Sequence, residues 1–164
     1  MWIGLSRSFI LPPFFFEDSD GITTTVNQQR YREMIVNHVI PHLKSKRAFS
    51  RTVFQQDGAT PHTANSTKQL LQKEFGSDKV ISRGFEFEWP PRSPDLSPPD
   101  FWLWGMLKGK VYNPMPSTLQ ELKLNIVEAV NSISSDMLEA AVDSVQSRFE
   151  VCIEENGSHL VSKL

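Results

Sequence analysis

The chain has 164 residues, 39% of them hydrophobic and 22% charged, which fits one folded domain with a real core, room for a small helical annex, and no disordered polypeptide. Its single cysteine, Cys152, excludes an internal disulfide and fits a reducing compartment. No apolar run reaches the length of a membrane span, and the net charge of −2 does not mark the whole chain as a nucleic-acid binder.

Residues 2–5 and 10–16 read as two strands, and Asp20-Gly21 after them is a strong turn signal. The opening stretch is apolar, but Arg7, two prolines and the lack of a basic leader argue against a signal peptide. A helix is expected from about Asn27, with Tyr31, Met34, Ile35, His38 and Val39 at helical spacing and Pro41 ending or kinking it. Ser45-Lys46-Arg47 reads as a solvated link. Residues 52–54 form a short buried strand, 64–75 a helix with Leu70, Leu71 and Phe75 inward, and Val80-Ile81 a minimal strand.

The stretch FEFEWPPRSPDLSPPDFW concentrates prolines and apolar anchors, so it is expected as a constrained loop leading into a helix over 100–112. Two further helices follow. One opens at Ser117-Thr118 with a capping-box pattern, and the other runs over about 134–155 and stops at Asn156-Gly157. Charge is uneven along this order: residues 111–164 hold three Lys/Arg against eight Asp/Glu, so the acidic balance lies in the last third. Strands and helices alternating before a helical end give an α/β layered arrangement with a mixed sheet, in which ligands sit beyond the carboxyl ends of strands.

Asp57, in FQQDGATPH, falls at such a strand end, and Asp100 falls at the start of a helix, with 42 residues between them. Two divalent ions roughly 4 Å apart can activate an attacking oxygen and stabilise a leaving one, and hard cations such as Mg²⁺ or Mn²⁺ take carboxylate ligands. Acids from separate elements suit such a site. Taken singly, each residue has a commoner and plainer role. Asp57-Gly58 is more often a turn, Asp100 a first-turn acid facing the helix dipole, Asp95 a cap, and His62 a packing or capping histidine.

The two motifs together carry more. QQDGATPHTA followed by WPPRSPDLSPPDFWLWGMLKGKVY resembles the catalytic domain of mariner-like transposases in the Tc/mariner superfamily. The resemblance matches Gln56-Asp57-Gly58-Ala59 and His62 to the family's second-acid motif, and the run from Ser93 to Asp100 to its third-acid motif. It implies an RNase H-like mixed sheet flanked by helices, a triad of acids binding Mg²⁺ or Mn²⁺, and DNA cleavage and strand transfer in the nucleus. Asp57 and Asp100 take the second and third catalytic and metal-binding positions, with His62 near the site. The spacing between the acids is wider than in the best-known mariners, so Asp100 rests on its motif, with Asp95 ranked behind it.

The family's first acid lies on a strand upstream of the segment matched by residues 11–18, and no counterpart is present here. Asp18 and Asp20 read instead as a hairpin turn. The resemblance therefore implies an N-terminally truncated domain with its first strand missing, leaving an unpaired edge at residues 2–5. Residues 1–112 correspond to the truncated catalytic domain and 113–164 to a C-terminal helical extension of it. The expected product is a DDE-type transposase fragment inactive alone, with DNA as partner and a homodimer or full-length transposase as possible assembly. The alternatives are a domesticated, non-enzymatic DNA- or protein-binding module and an unselected relic.

Overall fold

The computed structural model describes residues 1–158. It divides into two compact units: Met1 with Phe14–Arg92, and Trp2–Pro13 with the chain from Ser93 onward.

In the first unit, helix α1 (Gln28–Met34) starts on Asn27, whose side chain accepts from the Arg30 N–H and satisfies one of the free donors of the first turn. The helical path does not stop at Pro41. It widens over Ile35–Val39, where the Ile40 N–H reaches back five residues to the Ile35 carbonyl, and continues as α2 (Ile40–Ser45). Proline lacks an N–H and its ring crowds the carbonyl four residues back, and the widened turn absorbs that conflict without ending the helix. Strands β1 (Phe54–Gln55) and β2 (Val80–Ile81) pair in parallel with Phe54 opposite Val80.

A four-residue turn of helix, α3 (Thr60–Thr63), and α4 (Asn65–Phe75) connect the two strands. Gly76, at φ 90°, closes α4 in a conformation that side chains rarely adopt, and a Cβ there would lie 2.7 Å from Asp78 Oδ1. Tyr31, Met34, Ile35, Val39, Leu71 and Val80 are almost completely buried and form the centre of this unit. The Phe54 and Phe75 rings stack at 5.1 Å, joining strand to helix.

The strands expected near the amino terminus shrink to isolated bridges, Leu5 with Ile10 and Glu17 with Thr23. Pro12 and Pro13 lack the N–H groups that a longer ladder needs. Between Glu17 and Thr23, Asp18 Oδ1 accepts from the Asp20 and Ile22 amides at 3.0 and 2.9 Å, so EDSDG is a carboxylate-stapled turn.

In the second unit the proline-rich loop tightens into a short turn at Pro94–Leu96, then into a widened turn at Pro99–Leu103 that leads into α5 (Trp104–Val111). The helix expected from residue 100 thus begins as a wide turn, with the Trp104 N–H bonded to the Pro99 carbonyl. Helix α6 (Leu119–Asn131) starts on Thr118, whose hydroxyl accepts from the Glu121 N–H, while Glu121 Oε2 accepts from the Ser117 amide. Helix α7 (Ser135–Glu154) starts on Ser134 and is followed by Asn156 and Gly157 with positive φ. Leu103, Leu107 and Val111 pack with Ile3, Ala129 and Val130 into the core of this unit.

Candidate active site

The chemistry-bearing stretch of the first unit begins where β1 ends. Alternation along the strand buries Phe54 and Gln56 and turns Gln55 and Asp57 outward. The Gln56 N–H extends the ladder by donating to the Ile81 carbonyl at 3.1 Å. Asp57 follows at the carboxyl end of the parallel pair with its side chain 60% exposed.

Two donors converge on one oxygen of that carboxylate. Asp57 Oδ1 accepts from the Ala59 N–H at 3.0 Å and lies 2.6 Å from His62 Nδ1. Neither bond uses Oδ2, which leaves the second oxygen of this mostly exposed side chain for another partner. Gly58 is not among the glycines with positive φ, and a Cβ on it would meet nothing within 4 Å. A left-handed turn therefore does not account for the Asp57-Gly58 pair. The bend comes from the carboxylate capping the amide two residues on.

Behind Asp57 and His62 stands a buried polar scaffold. The His62 ring stacks on Tyr31 with centroids 4.2 Å apart. The Tyr31 hydroxyl donates to Gln56 Oε1 at 2.9 Å, and Gln56 Nε2 donates to the His62 carbonyl and to Ser82 Oγ, both at 3.0 Å. Gln56 is 7% exposed and Ser82 is fully buried, so each bond replaces water that cannot enter. The geometry fixes both the ring and the backbone of His62, and through the ring it fixes Asp57. Tyr31 and Gln56 were not legible in this role: Tyr31 reads as one member of an apolar helical stripe. Gln56, a polar residue in phase with the buried Phe54, carries the only sequence signal.

The His62 hydrogen bond, aided by the Ala59 amide against a desolvation penalty, holds the Asp57 carboxyl below its ordinary value. A depressed folded value gives a stabilisation that is present above the unfolded carboxyl pKa of about 4 and lost as pH falls through the lower folded value. Because the side chain is mostly exposed, solvent screens the effect to below about 1 kcal/mol. Asp57→Asn is expected to flatten the acid limb of stability against pH below about pH 4. Urea unfolding between pH 2.5 and 6 measures it, and an unchanged acid limb would show that the pair contributes nothing.

The second unit carries the other acids. Asp100 is exposed in the wide turn after Pro99, its amide donating to the Ser97 carbonyl at 2.8 Å. Asp95 sits in the short turn before it, half-buried. Arg148 of α7 donates to the Asp95 carbonyl at 2.9 Å and lies 3.7 Å over the Phe101 ring. One long side chain thus holds the loop on both sides of its bend. Burial lowers the Arg148 pKa against the attraction of Asp95.

The structure brings Asp57 and His62 together in the first unit and places Asp100 and Asp95 in the second. Among the described residues, no group of three or more His, Cys, Asp or Glu is positioned to hold a metal ion. A hard cation wants about six oxygen ligands, and Asp57 with its histidine-bound oxygen does not make such a centre by itself. No described helix is long and apolar enough to cross a membrane.

No family model matches the chain. It is 32% identical over 141 residues to the Tc3 transposase of Caenorhabditis elegans, covering 84% of this chain and 39% of that protein. It is 28% identical over 107 residues to the human histone-lysine N-methyltransferase SETMAR, covering 65% of this chain and 14% of that protein. Among solved structures, the Mos1 mariner transposase catalytic domain superposes with a TM-score of 0.80 at 19% identity, covering 96% of this chain and 74% of that one. A Mos1 paired-end complex with the left transposon end superposes with a TM-score of 0.77 at 20% identity, covering 96% and 43%. Other Mos1 catalytic-domain structures contain raltegravir with Mn or Mg. The structural likeness establishes the RNase H-like fold, and the chain spans well under half of the curated relatives it matches.

Proposed function

We propose that this chain, which belongs among the mariner-like transposase catalytic domains, acts on DNA as part of a DDE-type transposase, with Asp57 and Asp100 as two of its metal-binding acids. The observation that carries the reading is the carboxylate beyond the end of the parallel pair. It is held through one oxygen by a histidine that is itself pinned by a buried scaffold. Mg²⁺ or Mn²⁺, once bound, supplies activation of an attacking oxygen and stabilisation of a leaving one. The chain's own contribution is to keep Asp57 ionised and oriented, since orientation fixed before binding is not lost on binding.

With Asp57 and Asp100 as the two matched acids where the family uses three, the 164-residue chain alone binds these ions weakly and cleaves DNA poorly. A second transposase copy, as a homodimer or a full-length partner, assembles with it on DNA in the nucleus. The same observation favours a second reading, in which the domain serves as a non-enzymatic DNA- or protein-binding module. Calorimetric titration with Mn²⁺ separates them. Weak binding, with a dissociation constant of about a millimolar, lost in Asp57→Ala and in Asp100→Ala, is the expected outcome. Equal Mn²⁺ binding by both variants would remove these acids from the metal site, and nicking of supercoiled plasmid by the wild-type chain would show an active enzyme.

A further inference from the structure

The end of the first unit opposite Asp57 carries a compact set of cations that the active site does not use. Residues 44–51 include Lys44, Lys46, Arg47 and Arg51 and no acid, and all four are exposed. Lys44 Nζ lies 5.2 Å from the centroid of the Phe49 ring. Lys79 joins from the start of β2, donating from Nζ to the Ser50 carbonyl at 2.7 Å. Lys44 and Lys79 thus touch the Phe49–Arg51 turn, Arg51 ends it, and Lys46 and Arg47 lie just before it in the chain, with Asp78 as the acid next to Lys79 in sequence. The turn precedes β1 and Lys79 precedes the parallel β2, so the cluster lies at the amino end of the pair. Asp57 lies at the carboxyl end, about 20 Å away along an extended chain from Arg51.

One member of the cluster is in an unfavourable conformation. Arg47 has φ 52°, in the left-handed region, immediately after α2. The Ala48 N–H reaches the Leu43 carbonyl and the Arg47 N–H the Lys44 carbonyl, both at 2.9 Å, which is the helix-terminating turn that ordinarily employs glycine at this position. Glycine would close the same turn without strain. A strained residue that carries a charged side chain in an exposed, acid-free run of cations points to a use for that charge.

We infer that the Lys44–Arg51 turn with Lys79 is a second DNA-contacting surface, which grips the phosphate backbone of a duplex without reading its sequence and away from the reacting phosphate. The inference rests on the DNA reading above. It requires that affinity fall with salt, because each phosphate neutralised releases counterions.

Fluorescence anisotropy of a labelled 30-base-pair duplex between 50 and 200 mM salt tests it, using the wild type, Arg47→Gly and the double variant Lys46→Glu/Arg51→Glu. Arg47→Gly is expected to weaken binding several-fold at 50 mM salt and to reduce the slope of log affinity against log salt by about 0.9. The same change is expected to raise the unfolding temperature by about 3 °C, since it removes the strain. The double variant should lose more than tenfold. Unchanged affinity and slope in both variants would overturn this surface while leaving the DNA reading intact. A wild-type chain that binds no duplex would overturn the DNA reading itself.

Discussion

Gln56→Leu is expected to destabilise the chain by about 3 kcal/mol, although it replaces a polar residue in a core by an apolar one of similar size. The side chain is 7% exposed and makes three hydrogen bonds, from the Tyr31 hydroxyl and to the His62 carbonyl and Ser82 Oγ. Leucine gains transfer free energy of about 2 kcal/mol at most, but it strips this partner from three polar groups at about 1–3 kcal/mol each. The polar loss wins. Urea unfolding measures the difference, and a neutral result would mean that the groups find other partners or water. The local consequence is as informative as the global one. The His62 ring should lose its fixed stacking on Tyr31, and its proton resonances should move toward those of a free side chain. A variant that stays as stable as the wild type yet frees His62 would separate the scaffold's positioning role from its structural one.

Leu103→Ala is expected to cost the second unit about 3 kcal/mol, within the 2–5 kcal/mol range of large-to-small changes in well-packed cores. Leu103 is fully buried among Leu107, Val111, Ala129 and Val130, and it closes the wide turn that carries Asp100. The cavity left behind would loosen that turn as well as the core. Amide exchange should accelerate at Phe101 and Trp104, whose N–H groups bond to Ser97 and Pro99. By contrast Ile153→Ala, at a position 76% exposed, should change stability by less than about 0.5 kcal/mol. If the two substitutions had equal effects, the packing centre of this unit would lie elsewhere.

The sequence by itself determined most of the helices, though not that the first continues past Pro41 nor that α5 opens from a wide turn, because capping and spacing signals lie within a few residues of one another. Asn27, Thr118 and Ser134 cap the helices they precede, and Leu71 and Phe75 of α4, Val130 of α6 and Leu138 of α7 are buried as their spacing requires, whereas Leu119 and Phe149 stay exposed. It also determined that Asp57 follows a strand and Asp100 starts a helical segment, since hydrophobic runs and Ser-Pro-Pro punctuation are local. Its strands at 10–16 did not form as continuous ladders, because pairing needs N–H donors that Pro12 and Pro13 do not have.

Only the tertiary structure decided what surrounds the acids. Tyr31 and Gln56 are 25 residues apart, and Gln56 and Ser82 are 26 apart. No local pattern encodes their meeting, which follows from α1 packing against the connection between β1 and β2. The wide turn before Pro41 and the left-handed Arg47 are settled in the same way, by a buried helix face that must continue and a chain that must then turn into β1. Periodicity and capping act over one or two turns of backbone, whereas a buried hydrogen bond depends on which elements exclude water from between them. Asp57 was therefore visible from its neighbours in sequence, and the scaffold that holds it only from its neighbours in space.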